Sequence, residues 1–235
     1  MRRKRKEVHN EQYAERLITF RNPKSPVSEA FRTVRTNIEF VDIDHKIKTI
    51  LVTSSISSEG KSTIASNLGV AMAMSGKRVL IIDADLRNPA QHKCFNVRNI
   101  RGLTNLLLDD TLLLEEVLIY PSQENLSLLT TGPLPPNPAE LLGSERMRRF
   151  LTSLEDFFDL ILIDAPPVLA VADASILGSY LDGVVLVTAA GEVPREQALL
   201  AKEQLMKVHA KILGVVLNKV PVGSGGYYHY YYYAR

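Results

Sequence analysis

The sequence predicts an α/β fold in which a doubly wound, mostly parallel sheet carries helices on both faces. Short apolar runs typical of buried strands alternate with helical stretches along most of the chain. Two of these runs end in aspartate, at Asp83 and Asp164. Gly60-Lys61-Ser62 stands between the first run and a helix, which is the context of a phosphate-binding loop. Together these observations predict a fold of the P-loop NTPase type.

Size and composition favour one globular domain without a nucleic-acid partner. The chain has 235 residues, of which 46% are hydrophobic, and its formal net charge of +2 is too small to indicate nucleic-acid binding. Cys94 is the single cysteine, which excludes an intramolecular disulfide and is typical of a reducing cytosol. No apolar run approaches the ~20 residues that span a bilayer. We therefore expect a cytoplasmic protein.

The chain is predicted to begin with an extended basic arm, residues 1–24, which has five consecutive basic residues at 2–6. Such a run is typical of a solvated tail, and contact with anionic lipid is the weaker alternative. A helix is predicted to follow, with Ser25 as its N-cap and Pro26 in its first turn, and to end near Phe40.

Three charged residues of this helix, Glu29, Arg32 and Arg35, are spaced by three and share one broad face. The spacing alone favours a solvated charged face. The alternative is a subunit interface in which arginine pairs with carboxylates of another chain.

The later elements continue the alternation of strand and helix, and a helical pattern resumes at Ala139 after the proline-rich loop 132–138. Strands are predicted at 49–52, 79–82, 125–130, 160–163, 183–187 and 212–217, and helices at 64–74, 103–108, 112–118, 144–158, 173–180 and 194–208. Residues 25–220 therefore form the predicted phosphate-loop domain, and residues 221–235 form a flexible tail.

The phosphate-binding loop is predicted to occupy residues 53–63. Backbone N–H groups and the helix dipole at a helix N-terminus attract an anion. We expect Lys61 to reach the β- and γ-phosphates of a nucleotide and the Ser62 hydroxyl to ligate Mg²⁺. Ser55 stands where the usual pattern has its first glycine. The predicted nucleotide-binding residues of the loop are Ser58, Glu59, Gly60, Lys61, Ser62 and Thr63.

Acidic residues follow two predicted strands, beside the crevice in which such sheets bind nucleotides. Asp83 and Asp85 are expected to hold water around Mg²⁺, and Asp83 to orient or deprotonate an attacking hydroxyl. Asp164 ends four apolar residues, which is typical of a second magnesium-binding strand. Arg87 is expected to steady either the phosphates or the acidic cluster. The predicted metal ligands are Ser62, Asp85 and Asp164, and the predicted catalytic residues are Lys61, Asp83, Asp85 and Asp164.

The end of the last predicted strand favours an adenine nucleotide. Asn218 follows this strand, where its side chain is expected to reach the base. A guanine-reading N-K-x-D motif needs aspartate at the position of Pro221. ATP is therefore favoured over GTP.

The C-terminal tail combines a glycine-rich hinge with a cluster of tyrosines. Six of the nine tyrosines lie in the last nine residues. The tail is either a sticky aromatic segment or a set of phosphate acceptors carried on a flexible hinge. The candidate acceptors are Tyr227, Tyr228, Tyr230, Tyr231, Tyr232 and Tyr233.

Together these residues resemble the bacterial tyrosine kinases of capsule and exopolysaccharide biosynthesis, in the form whose cytoplasmic kinase is a separate chain from its membrane adaptor. The resemblance covers about residues 25–235. It rests on the E-x-x-R-x-x-R pattern within 28–35, on segments 59–63, 82–87 and 163–167, and on the tyrosine tail. The three middle segments are shared with partition and division-site ATPases. The E-x-x-R-x-x-R pattern and the tyrosine tail are therefore the features that distinguish these kinases from those ATPases. The family usually has Pro-Gly where this chain has Ser57-Ser58.

The resemblance implies an Mg²⁺- and ATP-dependent protein-tyrosine kinase that autophosphorylates its tail in trans. It implies a homo-oligomeric ring, formed through the helix with Glu29, Arg32 and Arg35, in which one tail enters the neighbouring active site. It also implies protein substrates, a cognate tyrosine phosphatase and a transmembrane adaptor of the polysaccharide co-polymerase type. That adaptor would recruit the kinase to the inner face of the membrane and activate it, which links the kinase to polysaccharide synthesis and export.

Two other functions stay open at this stage. An ATPase switch that positions cargo or a division site commonly carries an extra lysine early in its phosphate loop, and 54–59 contains none. A nucleotide-binding scaffold without kinase activity is favoured only by Ser57-Ser58. The product formed after ATP addition discriminates between these functions. A kinase leaves phosphotyrosine, whereas an ATPase switch leaves only free phosphate.

Overall fold

In a computed structural model of the protein, residues 17–44 and 47–221 are described. Within them six strands form one sheet: β1 (Thr49–Ser54), β2 (Val79–Asp83), β3 (Leu126–Leu129), β4 (Leu160–Asp164), β5 (Gly183–Ala189) and β6 (Ile212–Asn218). Their order in the sheet is β3-β2-β4-β1-β5-β6, and neighbouring strands pair in parallel. The predicted doubly wound parallel sheet is confirmed.

Helices cover both faces of this sheet. Those of the described residues are α1 (Ile18–Arg21), α2 (Pro26–Val41), α3 (Lys61–Met74), α4 (Gln91–Cys94), α5 (Leu103–Leu108), α6 (Leu114–Val117), α7 (Pro138–Gly143), α8 (Glu145–Leu154), α9 (Asp173–Gly178) and α10 (Arg195–Lys207). Side chains of α1 to α4 pack with one face of the sheet, and side chains of α5 to α10 pack with the other.

The central strands are buried along their whole length, as parallel strands between two helical layers must be. All six residues of β1 are buried. Ile50 and Val52 face the layer of α2 and α3, whereas Leu51 faces the layer of α5 to α10. This alternation fixes the register of β1 and therefore the point at which the phosphate loop leaves the sheet.

The start of α2 agrees with the predicted cap. The Ser25 hydroxyl accepts a hydrogen bond from the Ser28 N–H at 3.1 Å, and Pro26 occupies the first turn. Ser144 caps α8 in the same way through the N–H of Met147. In both cases a side-chain oxygen satisfies an N–H group that has no partner within the helix.

The structure corrects some predicted boundaries. Residues 17–24 were assigned to an extended arm, but Leu17 is fully buried and the Thr19 N–H donates to Asn67 Oδ1 at 2.9 Å. Apolar packing against α3 therefore holds this segment on the domain. The helix predicted at 112–118 is limited to α6, and α4 was not predicted. Residues 1–16, with the basic run, and 222–235, with the tail tyrosines, lie outside the described residues.

Because all strands run the same way, the carboxyl ends of β1, β2, β4 and β6 meet at one edge of the sheet. The phosphate loop, both aspartate motifs and Asn218 follow these ends. Among the described helices none combines the length and the apolar character needed to cross a bilayer.

Candidate functional site

The phosphate loop joins β1 to α3 through two residues in the left-handed backbone region. Gly60, at the N-cap of α3, has a φ of +93°, and Ser58 has a φ of +69°. Ser55, where the usual pattern has glycine, is not in this region; its hydroxyl is buried and bonds to no described residue. Glycine at 58 rather than at 55 would therefore suit the backbone, which agrees with the Pro-Gly of the resembled family.

Glu59 holds the loop together from inside. Its side chain is 1% exposed; Oε2 accepts from the Ile56 N–H at 2.8 Å and Oε1 accepts from the Ala189 N–H at 3.1 Å. The carboxylate thus ties the loop to the end of β5. Glu59 was predicted to bind nucleotide. Because its side chain is occupied by these two N–H groups, only its backbone is available to a phosphate.

Asn218 packs directly on the loop. Its Nδ2 donates to the Glu59 carbonyl at 2.8 Å, and a Cβ atom at Gly60 would lie 2.2 Å from that nitrogen. Asn218 therefore lies beside the phosphate loop, and its amide supports that loop in this structure. Reading of the adenine base by Asn218 stays a prediction.

Lys61 joins the phosphate loop to both aspartate motifs. Its Nζ lies 2.8 Å from Asp85 Oδ2, 3.2 Å from Asp164 Oδ1 and 3.2 Å from the Ser62 hydroxyl. Burial favours the neutral amine, but the charges of Asp164 and Asp85 outweigh it and raise the pKa of Lys61 above its usual value. The structure thus brings these four predicted residues together, with an ammonium between the two carboxylates.

Asp83 is placed differently from the expectation. Its side chain is fully buried, and its oxygens accept N–H bonds from Asp85 (3.3 Å), Ala90 (3.0 Å) and Gln91 (2.8 Å). Burial, followed by the nearby charge of Asp164, raises the pKa of Asp83 to about 7. A carboxylate enclosed in this way holds the loop after β2. Its contact with an acceptor hydroxyl, which this burial does not favour, stays a prediction.

Gln91 is a site residue that sequence reasoning missed. Its fully buried side chain bonds to Asp164, to the carbonyl of Ser62 and to Ser66, and its backbone N–H bonds to Asp83. The only sequence signal is a polar residue at the start of a short helix that follows an Asp-x-Asp strand end.

Arg87 contacts a second residue that was missed, Asp173 at the start of α9. Its Nε and Nη2 donate to the two carboxylate oxygens at 2.9 and 3.0 Å. Asp173 is fully buried, whereas the Arg87 side chain is 42% exposed. This forked pair fixes Arg87 at the mouth of the site. A contact between Arg87 and phosphate stays a prediction.

The residues present suit Mg²⁺. Magnesium takes few protein ligands, typically one or two carboxylates completed by water and substrate phosphates. Ser62, Asp85 and Asp164 supply a hydroxyl and two carboxylates, and the Lys61 ammonium already marks the place where they need a positive charge. Within the described residues, no group of three or more His, Cys, Asp or Glu side chains is arranged to hold a metal by itself. The donor set therefore fits an ion that is bound together with a nucleotide.

The charged residues of α2 lie away from this cluster. Arg32 pairs with Glu29 in the same chain and donates to the Pro23 carbonyl at 2.8 Å. Arg35 donates to the Ala71 carbonyl at 3.2 Å. Glu29 and Arg32 are partly exposed, with side chains 48% and 34% accessible. Their predicted role in a subunit interface is untested, as is the acceptor role of the tail tyrosines.

Comparisons with known proteins point to one group. The sequence profile of a family described as an AAA domain matches residues 47–193. The tyrosine-protein kinase YwqD of Bacillus subtilis (strain 168) is 46% identical over 202 residues, which cover 86% of this chain and 85% of YwqD. The tyrosine-protein kinase CpsD of Streptococcus agalactiae is 37% identical over 208 residues, which cover 88% of this chain and 90% of CpsD.

Solved structures agree. The chimerical protein CapA2B2 superimposes with a TM-score of 0.84 at 40% identity, covering 89% of this chain and 92% of that one. The kinase domain of the Escherichia coli tyrosine kinase ETK gives 0.84 at 30% identity, with 93% and 86% covered. The septum site-determining protein MinD of Pyrococcus horikoshii OT3, complexed with Mg-ADP, gives 0.62 at 26% identity, with 77% and 72% covered. The TM-score and the sequence identity are therefore both higher for CapA2B2 and for ETK than for MinD.

Proposed function

This chain belongs to the bacterial tyrosine-protein kinases, and we propose that it uses Mg²⁺-ATP to phosphorylate the tyrosines of its own C-terminal tail in trans. The observation that carries the proposal is the contact of Lys61 with Asp85 and Asp164 beneath the phosphate loop. This arrangement has the parts that phosphoryl transfer needs: N–H donors, a cation for the phosphates and carboxylates for a metal.

In the proposed mechanism the protein positions the phosphates and compensates their charge. Lys61 exchanges its bonds with the two carboxylates for bonds with the β- and γ-phosphates. The N–H groups of residues 58–63, with the dipole of α3, hold the phosphate oxygens. When bound, Mg²⁺ would supply positive charge that neutralises the charge developing during transfer. Ser62 and Asp164 are the residues that would hold it, and Asp85 lies beside them across the Lys61 ammonium.

The acceptor is a phenol, whose pKa of about 10 keeps it protonated at neutral pH. Asp83 is enclosed, so we assign the task of facing the acceptor hydroxyl to Asp85. Asp85 is 3% exposed, and its Oδ2 becomes available when Lys61 turns to the phosphates. Its Oδ1 stays bonded to the Asn88 N–H at 2.9 Å, which keeps the carboxylate oriented. Arg87, fixed by Asp173, completes the entrance to the site.

The tail is proposed to act between subunits. Residues 221–235 begin just after β6, whose last residue Asn218 touches the phosphate loop. We propose a homo-oligomeric ring, formed through Glu29, Arg32 and Arg35, in which each tail serves the neighbouring site. Several phosphates, each with about −1.5 to −2 charges, would repel the acidic pocket and release the tail. Light scattering before and after ATP treatment should show dissociation to monomers, and an unchanged mass would contradict the ring model.

The family resemblance further supports a role in capsular or exopolysaccharide synthesis and export. We propose a cytoplasmic kinase recruited to the inner face of the membrane by a transmembrane adaptor of the polysaccharide co-polymerase type. A cognate phosphatase would reset the tail, and other proteins would serve as substrates. Adding an adaptor's cytoplasmic peptide to the full chain should increase phosphorylation, and no increase would contradict activation by that peptide.

The deciding experiment treats the full chain with γ-labelled ATP and maps the label by mass spectrometry. We expect phosphotyrosine within residues 221–235, its loss in Lys61→Met and its retention in Lys202→Met, a matched change at an exposed lysine of α10. Label confined to other residues, or undiminished label in Lys61→Met, would refute the proposal. Free phosphate without phosphotyrosine would indicate an ATPase switch, and nucleotide binding without either product would indicate a scaffold.

A further inference from the structure

The side-chain amide of Gln91 connects the two halves of the candidate metal site. Its Nε2 lies 2.8 Å from Asp164 Oδ2 and 3.1 Å from the carbonyl oxygen of Ser62. Ser62 lies in the first turn of α3, and Asp164 ends β4. The NH₂ group of Gln91 therefore uses both of its hydrogens to link Ser62 to Asp164. Ser62 carries the candidate metal-binding hydroxyl, and Asp164 carries the carboxylate opposite it.

The orientation of this amide follows from its partners. A carbonyl oxygen and a carboxylate oxygen only accept hydrogen bonds in this site, so the NH₂ group must face them. Its Oε1 then faces the Ser66 hydroxyl at 2.7 Å. Gln91 is fully buried, and its own N–H donates to Asp83 Oδ2 at 2.8 Å. The Ser66 hydroxyl lies equally close to the Ser62 carbonyl, at 2.7 Å, so its one hydrogen is shared between that oxygen and Oε1. Rotation of the amide would still break both bonds of its NH₂ group together.

The consequence concerns which oxygen of Asp164 faces the ligand. Gln91 occupies Oδ2, so Oδ1 is the oxygen directed to Lys61, at 3.2 Å. Without the amide, the carboxylate could rotate and the distance between Asp164 and the Ser62 turn would no longer be fixed. Loss of an outer partner that orients a ligating carboxylate commonly lowers metal affinity about 10–100-fold.

We propose that Gln91 is a positioning residue that orients Asp164 relative to Ser62 for the metal of the metal–nucleotide complex. This inference rests on the proposed function, because it assumes that the site takes Mg²⁺ with an adenine nucleotide. It predicts that loss of the amide weakens Mg²⁺ binding to the protein–ADP complex more than it weakens ADP itself.

The test is calorimetric and uses the full chain with ADP and MgCl₂, so that its readout is binding and not activity. Gln91→Met keeps the length of the side chain and removes both donors and the acceptor. We expect ADP affinity in EDTA to change within about twofold, and the MgCl₂ concentration for half-saturation of the ADP complex to rise about tenfold or more. Gln91→Leu, of different shape, repeats the test if the methionine variant folds poorly.

Two controls separate positioning from packing. Ser66→Ala removes the bond to Oε1 in the same contact between α3 and α4 but leaves the donors to Asp164 and Ser62, so its MgCl₂ requirement should rise no more than about twofold. Gln123→Met makes the same chemical change in an exposed loop and should behave as wild type. A lower melting temperature in Gln91→Met with an unaltered MgCl₂ requirement would overturn the inference. A wild-type protein whose ADP binding ignores Mg²⁺ would overturn the proposed function as well.

Discussion

Replacing Gly60 with alanine should destabilise the protein more than the same replacement at Gly76. Both glycines have almost the same backbone conformation, with φ values of +93° and +94°. An L-residue in this region costs about 1–2 kcal/mol. A Cβ at Gly76 would meet no atom of the described residues within 4 Å, whereas a Cβ at Gly60 would lie 2.2 Å from Asn218 Nδ2.

The overlap at Gly60 adds one lost hydrogen bond to the backbone strain. The Asn218 amide is the end of a flexible side chain, so it can move aside. It then gives up its bond to the Glu59 carbonyl, which is worth about 1 kcal/mol. We therefore expect Gly76→Ala to reduce the free energy of unfolding by about 1–2 kcal/mol. Gly60→Ala should reduce it by about 2–3 kcal/mol, the sum of strain and hydrogen bond.

Calorimetric unfolding of the nucleotide-free chain measures the difference. For a chain of this size 1 kcal/mol corresponds to about 2–4 °C, so the Gly60 variant should melt about 2–4 °C below the Gly76 variant. In an Asn218→Ala background the hydrogen bond is already absent. Gly60→Ala should then reduce the free energy of unfolding no more than Gly76→Ala does. Equal melting temperatures for the two alanine variants, or additive effects of Gly60→Ala and Asn218→Ala, would refute the reasoning.

Three further changes test other contacts of the site. Ser58→Gly should stabilise the protein by about 0.5–1 kcal/mol, because the left-handed cost removed exceeds the chain entropy that glycine adds; a lower melting temperature would contradict the assigned strain. Lys61→Met should destabilise the nucleotide-free protein by about 3–5 kcal/mol, since two buried carboxylates lose their cation; unchanged urea unfolding would show that they have other compensation. Arg87→Lys should cost about 1–2 kcal/mol, because one ammonium cannot reproduce the forked pair with buried Asp173. Arg98→Lys, at an exposed arginine, is its control, and equal melting temperatures for the two variants would show that the fork contributes nothing.

Local pattern was enough to predict the strands and the phosphate loop. The run Ile50-Leu51-Val52 before the phosphate loop has no polar residue to place on a solvent face, which favours a strand buried on both sides. Asp83 and Asp164 end similar runs, and parallel strands bring their carboxyl ends to one edge of a sheet. The convergence of Lys61, Asp85 and Asp164 therefore followed from sequence order and strand direction alone.

Contacts between distant segments were not predictable in the same way. Arg87 and Asp173 are 86 residues apart, and each is an ordinary charged residue in its own segment. Gln91 lies in a four-residue helix too short to show a period, and its role depends on the packing of α4 against α3. A sequence pattern records which side chains follow a strand, but it does not record which of them fold back on one another.

The phosphate loop also shows where a pattern locates a backbone requirement wrongly. The usual motif asks for glycine at Ser55, yet the non-glycine residue of the loop with positive φ is Ser58, three positions later. The side chain of Glu59 links the N–H of Ile56 to the N–H of Ala189, which closes the loop around this strained residue. Left-handed backbone at a serine persists only where the surrounding contacts determine it. These contacts supply part of the geometry that glycine provides in the related loops.

The three buried aspartates that follow β2 and β4 are compensated in different ways, and this difference explains how the site can exchange ligands. Asp83 accepts N–H bonds from its own loop, while burial raises its pKa to about 7. Asp85 and Asp164 depend on the Lys61 ammonium for charge. A metal ion bound with a nucleotide supplies positive charge to these two carboxylates and negative phosphates to Lys61. Neither the lysine nor the carboxylates are then left unpaired in a buried site, which would cost several kcal/mol. Metal or nucleotide alone satisfies only one side of this exchange, so the two should bind together more tightly than either binds separately.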